Sequence, residues 1–169
     1  MDAAYLHLTL NHLPIVGTLV AFLLLLAGII GHNRSWAHAG CVALVVCAVL
    51  TVPVFQSGEG AEEFVEELPG ASHQLIHTHE EAAEFAQIAA YLAGALALAY
   101  LVLRARLVNR QRLAWGVLAL VALWSFSVFA RTAQLGGQIR RPELQEPAKR
   151  APAAESETET EPNDSPDGD

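Results

Sequence analysis

The fold is decided near the N-terminus, by residues 3–33, which read AAYLHLTLNHLPIVGTLVAFLLLLAGIIGHN. This stretch contains no Asp, Glu, Lys or Arg. A bilayer core is crossed by roughly 20 mainly apolar residues at ~1.5 Å rise per residue, whereas a water-soluble helix of that length carries a charged face. The stretch therefore predicts a transmembrane helix.

Three further stretches without charged residues follow, at residues 35–58, 85–103 and 113–130. Each is near or above the length that a span requires. The sequence predicts an all-α integral membrane protein, a four-helix up-down bundle formed by residues 1–141. The predicted spans are approximately 13–31, 36–56, 82–103 and 113–131.

The C-terminal segment has a different composition. The chain has 169 residues and a net charge of −8, and from Pro142 onward it holds nine acidic and two basic residues. This segment therefore accounts for −7 of the charge and also contains five of the eight prolines. It has too few apolar residues to offset its ordering entropy, so residues 142–169 are predicted to be a disordered acidic tail. No basic surface for nucleic acid is present.

The charges in the loops predict the orientation. The loops around Arg34 and between residues 104 and 112 carry five arginines and no acid, whereas the loop from 56 to 84 carries eight acids and no Lys or Arg. Short arginine-rich loops stay in the cytoplasm. We therefore expect a multi-pass protein of the bacterial inner membrane with both termini outside, although Arg131, Arg140 and Arg141 also lie on the outer side.

Five of the seven histidines collect at the acidic end of the predicted bundle. They are His7, His12, His73, His77 and His79. At helical spacing His73 and His77 share a face with the carboxylates that follow them. Neutral imidazole and carboxylate are both good ligands for divalent metals, so this end is the candidate site.

Two site models remain open. In the first, a b-type haem lies between helices with two axial imidazoles, one from His12 and one from His77 or His79. Arg131 either pairs with Glu84 or Glu80, binds an anionic group such as a haem propionate, or only extends to the membrane interface. His12 is expected to lie deeper in the bundle than His7. The candidate cofactor-binding residues of this model are His12, His77, His79 and Arg131.

In the second model, the same end of the bundle binds non-haem iron or zinc. The candidate metal ligands are His7, His12, His73, His77, Glu80 and Glu81. The alternative to both models is that these histidines are solvated and bind nothing. No catalytic residue is predicted.

The predicted function is a small membrane subunit for electron transfer, which exchanges electrons with a quinol or a partner protein. The competing interpretation is a non-catalytic accessory or assembly subunit that docks an outer partner, within a membrane complex or a homo-oligomer. A metal-ion transporter is disfavoured because no charged residue lies in the middle of a span.

Several local features are also predicted. Pro14 should loosen the first helix near residue 10, and Ser72 should cap the helix that leads into the third span. Residues 56–60 should break the second helix before a separate acidic helix at 61–68. Gly136 and Gly137 should break the last helix.

Short motifs in residues 5–142 resemble a group of small bacterial four-helix membrane proteins of unknown function. The resemblance rests on Asn11-His12-Leu13-Pro14-Ile15, His77-Thr78-His79-Glu80 and Gly136-Gly137-Gln138-Ile139-Arg140, with Ser57-Gly58 between them. Some members of that group occur beside or joined to Rieske-type iron–sulfur domains, so the resemblance implies a redox role. Arg141 stands where the group leads us to expect histidine, which argues against a ligand from that segment.

Overall fold

The computed structural model describes residues 3–66 and 72–140, and these residues form helices. The helices are α1 (Ala3–Leu10), α2 (His12–Ile30), α3 (Arg34–Glu66), α4 (His73–Leu103) and α5 (Gln111–Arg140), with a short 3₁₀ turn at Val108–Arg110 before α5. The predicted disordered tail at 142–169 lies outside the described residues.

Four helical segments are long and apolar enough to cross a membrane. They are Ala3–Ile30, which combines α1 and α2, then Arg34–Glu62, His73–Leu103 and Val108–Ile139. The all-helical prediction with four apolar spans is confirmed at this level. The helices extend beyond the predicted spans mainly at one end, which we call the histidine end because it contains His7 and His79; the opposite end, with Arg34 and Arg104, is the arginine end.

The four spans pack in a ring. α2 packs against α3 and α5, and α4 packs against the same two helices, while α1 packs mainly on α3. Within the described ranges, the first and third spans make no backbone contact with each other. They are therefore diagonally opposite in the bundle, and α3 and α5 form the other diagonal.

A heptad pattern selects the interior face of each span. Buried and half-buried residues recur along α1 and α2 at alternating steps of three and four, at positions 4, 7, 11, 14, 18, 21, 25 and 28. In α4 the same steps give positions 76, 79, 83, 86, 90, 93, 97 and 100. An average step of 3.5 residues keeps one face toward the neighbouring helices. The pattern therefore places His7 and His79 inward.

The interior side chains differ in size between the two ends. Toward the arginine end the buried core contains large side chains, namely Leu25, Leu44, Tyr100, Trp115 and Leu118. The indole Nε1 of Trp115 donates a hydrogen bond of 2.6 Å to the hydroxyl of Tyr100 inside this core. At the histidine end several interior positions hold small residues, namely Ala4, Gly58, Ala61, Ala83, Ala86 and Gly136, so this end is less filled.

Close helix contacts depend on small residues at particular positions. A Cβ added to Gly28 would lie 2.7 Å from the backbone nitrogen of Ala37, and one added to Gly94 would clash with the Cβ of Ala48. Such contacts allow the spans to approach closely by van der Waals packing, as is usual within lipid.

Two of the local predictions are confirmed. The first span is interrupted at Asn11, between α1 and α2, as expected because Pro14 cannot donate the backbone hydrogen bond to residue 10. The side chain of Ser72 accepts a hydrogen bond from the backbone N–H of Leu75 at the start of α4.

The two predicted glycine breaks are wrong. α3 continues without interruption through Ser57 and Gly58 to residue 66, and α5 continues through Gly136 and Gly137 to residue 140. A glycine in a helix costs only about 1 kcal/mol relative to alanine, so tertiary packing overrides this preference. Residues 67 and 68 of the predicted acidic helix lie outside the described ranges.

Candidate functional site

A cavity of about 230 Å³ lies at the histidine end of the bundle. All four spans contribute to its walls, and His7 and His79 are the two histidines that line it. Exposed residues such as Leu8, Glu59 and Ala133 are also part of its lining, so the cavity is open to the surface. Much of the wall is made by small residues, which are Ala4, Gly58, Ala61, Ala83, Ala86, Ala133 and Gly136.

His7 is held by the neighbouring helix. Its Nδ1 lies 3.0 Å from the backbone oxygen of Val54 in α3. A carbonyl oxygen can only accept, so Nδ1 carries the hydrogen and donates it. In the neutral imidazole, Nε2 is then the atom with a free lone pair, which is the form that binds a metal.

His79 is held in the same way by α5. Its Nδ1 donates to the backbone oxygen of Thr132 over 2.9 Å, so Nε2 again keeps its lone pair. The hydroxyl of Thr132 in turn donates to the backbone oxygen of Ala82 over 3.0 Å. This pair of bonds fixes α5 against α4 at the level of the imidazole.

A glycine lies against each imidazole. A Cβ added to Gly58 would lie 3.1 Å from Cε1 of His7, and one added to Gly136 would lie 2.9 Å from Cε1 of His79. Each glycine follows its hydrogen-bonding carbonyl by four residues, so it lies one turn further along the same helix face. A side chain at either position would press on the ring.

The site therefore consists of two equivalent half-sites. In the first hairpin, formed by α1, α2 and α3, α1 supplies the histidine while α3 supplies the carbonyl of Val54 and the contact of Gly58; α4 and α5 form the second hairpin. In the second hairpin, α4 supplies the histidine and α5 supplies the carbonyl of Thr132 and the contact of Gly136. Because the histidines belong to diagonally opposite spans, they approach one cavity from two sides.

Asn11 adds a polar group to the cavity wall one turn below His7. Its side-chain oxygen is buried and has no hydrogen-bond partner. In the described part of the chain it is the one buried side-chain nitrogen or oxygen in that condition. Buried polar atoms normally have a partner, so this oxygen is of interest for ligand binding.

The other predicted site residues take different positions. His12 is exposed and does not line the cavity, because it lies off the heptad face that carries His7. The expectation that His12 is the deeper of the two is therefore corrected: His7 takes the interior position. Arg131 is exposed as well.

The candidate metal ligands are dispersed. His73 and His77 are exposed, and Nδ1 of His77 lies 3.7 Å from a carboxylate oxygen of Glu81 on the surface. Glu80 lines the cavity near His79. Among residues 3–66 and 72–140, no group of three or more His, Cys, Asp or Glu side chains is positioned to hold a metal ion. The structure thus brings His7 of α1 and His79 of α4 to one cavity. It does not bring the six candidate metal ligands together.

Sequence reasoning missed the supporting residues, namely Val54, Gly58, Thr132 and Gly136, together with Asn11. The heptad positions carried the missing signal, since His7 and His79 fall on the interior steps whereas His12 and His77 do not.

No protein-family model, no curated protein and no solved structure matches this chain, so the site is interpreted from its own geometry.

Proposed function

We propose that this protein is a membrane electron-transfer subunit that holds a b-type haem between His7 and His79. The observation that carries the proposal is the pair of diagonal imidazoles in one cavity, each with Nδ1 bound to a backbone carbonyl. Haem iron is commonly held by axial histidine, and the bound group supplies one-electron redox chemistry. With both histidines as ligands, the iron would have no position left for a substrate, which favours electron transfer over catalysis.

The backbone carbonyls of Val54 and Thr132 do two things for the imidazoles. They fix each ring in one orientation, and they select the tautomer in which Nε2 is free to bind a metal. Such hydrogen bonds also raise the basicity of the ligating nitrogen. A histidine that merely satisfied a local hydrogen bond would not require the same arrangement in both hairpins.

The number of donors favours haem over the non-haem metal model. A tetrahedral ion such as zinc takes three or four protein ligands, whereas haem iron needs only two axial ones. The cavity offers two imidazoles. Carboxylates of Glu59, Glu62 and Glu80 also line it, but no three His, Cys, Asp or Glu side chains among the described residues are positioned to hold one metal ion.

The small residues around the cavity fit a flat ligand. Gly58 and Gly136 pack closely against the imidazoles without a side chain, and Ala83 and Ala86 add little side-chain volume to the cavity wall. The cavity is open to the surface, so a ligand larger than about 230 Å³ is able to extend beyond the enclosed part.

The proposed site lies at the outer membrane face, following the arginine bias of the loops. At the arginine end, His32 is exposed in a turn, and the ring of His38 packs 6.0 Å from that of Tyr100. A second pair of converging histidines is not found there in the described residues. We therefore propose that electrons enter and leave on the outer side, from a quinol or a partner protein.

The test is a visible spectrum of the protein purified in detergent, with elemental analysis of the same sample. We expect a Soret band and about one iron per chain. His7→Ala and His79→Ala should each abolish the band. His12→Ala and His77→Ala are the matched controls and should retain it, because both side chains are exposed.

Other outcomes would overturn the proposal. Stoichiometric iron or zinc without a Soret band would indicate the non-haem site. Absence of both would indicate an accessory subunit that docks an outer partner. Loss of the band in His12→Ala but not in His7→Ala would reject the assigned ligands.

A further inference from the structure

The two half-sites differ at the floor of the cavity. Counting from the histidines, Asn11 in the first hairpin corresponds to Ala83 in the second, since each follows its histidine by four residues. Counting from the carbonyls, Thr51 corresponds to Phe129, since each precedes its carbonyl by three residues. All four residues line the cavity. One hairpin thus presents polar side chains where the other presents apolar ones.

The polar side of the floor is incompletely satisfied. The hydroxyl of Thr51 donates to the backbone oxygen of Cys47 over 2.8 Å, so its hydrogen is used within α3. The side-chain oxygen of Asn11 is buried without a partner. An unsatisfied buried acceptor is destabilising, and an apolar group pressed against it prevents water from relieving that cost.

We propose that Asn11 determines the orientation in which the haem is held; this inference rests on the proposed function. Protohaem carries different substituents along its two sides, so it enters a site in two orientations related by a half turn. If the two hairpins were identical, those orientations would have equal energy. Asn11 makes the two orientations differ in energy. The orientation that puts the bulkier edge of the haem beside the unpaired oxygen of Asn11 is disfavoured, and the orientation that puts this edge beside Ala83 is favoured.

The experiment is proton NMR of the oxidised holoprotein in detergent, in which the shifted haem methyl signals report the two orientations separately. We expect the wild-type protein to show one major form in at least tenfold excess. Tenfold corresponds to about 1.4 kcal/mol, which lies within the cost of an unsatisfied acceptor. In Asn11→Ala the ratio should fall at least threefold.

Moving the amide provides a sharper comparison. The double variant Asn11→Ala/Ala83→Asn places the amide at the equivalent position of the other hairpin, and the ratio should shift beyond that of Asn11→Ala, toward the opposite form. If Asn11→Ala does not retain haem, Asn11→Leu replaces it in the comparison, because leucine keeps the branched shape of the asparagine side chain without its oxygen. It should also lower the ratio at least threefold.

The outcomes separate the two proposals. Wild-type protein with full haem but equal populations of both forms would overturn the role of Asn11 alone. An unchanged ratio in both single variants and in the amide-exchange variant would do the same. Wild-type protein without haem would overturn the proposed function and this inference with it.

Discussion

Gly136 lies one helical turn beyond the carbonyl that holds His79, and its missing side chain is what allows the imidazole to reach that carbonyl. A Cβ at this position would lie 2.9 Å from Cε1 and 3.3 Å from Nε2 of the ring. The adjacent Gly137 has no atom within 4 Å of where its Cβ would lie. Two neighbouring glycines in one helix therefore have different roles.

This difference gives the first prediction. Gly136→Ala should displace the imidazole of His79 and weaken haem binding by about 1–3 kcal/mol, or roughly 5- to 150-fold, as expected for overpacking. Gly137→Ala is the matched control and should bind haem as the wild-type protein does. The measurement is haem titration of apoprotein followed at the Soret band. Equal loss in both variants would contradict a specific contact of Gly136.

Gly28 and Gly116 form a second pair for comparison. A Cβ at Gly28 would lie 2.7 Å from the backbone nitrogen of Ala37, which cannot rotate away, whereas one at Gly116 would meet nothing within 4 Å. Gly28→Ala should lower the free energy of unfolding by about 1–3 kcal/mol. Gly116→Ala should leave it unchanged or raise it by up to about 1 kcal/mol through helix propensity. Thermal unfolding in detergent measures both, and similar shifts for the two variants would argue against tight packing at Gly28.

The Trp115–Tyr100 hydrogen bond leads to a third prediction. Both residues are buried, and the donor–acceptor distance is 2.6 Å. Trp115→Phe should leave the Tyr100 hydroxyl without its donor and destabilise the bundle by about 1–3 kcal/mol. Trp36→Phe, at an exposed residue, should have little effect. A double-mutant cycle with Tyr100→Phe should show coupling, and additive effects would mean that the bond contributes nothing.

The orientation of the chain is the subject of the fourth prediction. The arginine-rich loops predict that the C-terminus lies outside. Alkaline phosphatase fused after residue 169 should be active in a bacterial host, and green fluorescent protein at the same point should be dark. Fusions in the loop after Arg106 should behave in the opposite way. The reverse pattern would put the histidine end in the cytoplasm and would move the proposed electron transfer to that side.

Much of the fold could be predicted from the sequence, because a charge-free stretch long enough to cross a bilayer is rare in a water-soluble helix. The site was harder to predict. Proximity to the apolar run favours His12 over His7, yet depth along a helix does not determine which face is buried. The interior face depends on the heptad contacts with α3 and α5, and those contacts select His7.

The predicted glycine breaks fail for a related reason. Local preference makes Gly58 and Gly136 candidates for helix breaks, and it contains no information on what packs against them. Each of them packs against an imidazole that lies 51 or 57 residues away in the sequence. Helical spacing puts Asn11 on the same face as His7, but only the packed bundle shows that its oxygen is left without a partner.

The diagonal placement of the two histidines has a consequence for assembly. Each hairpin contains two spans that are long and apolar enough to cross a membrane, and each carries one of the two histidines. A haem bound by both imidazoles would therefore link the two hairpins. Cutting the backbone between residues 67 and 71 should leave the haem-bound protein in one piece, whereas the haem-free form would depend on the packing of α2 against α5 and of α3 against α4 and should dissociate more readily.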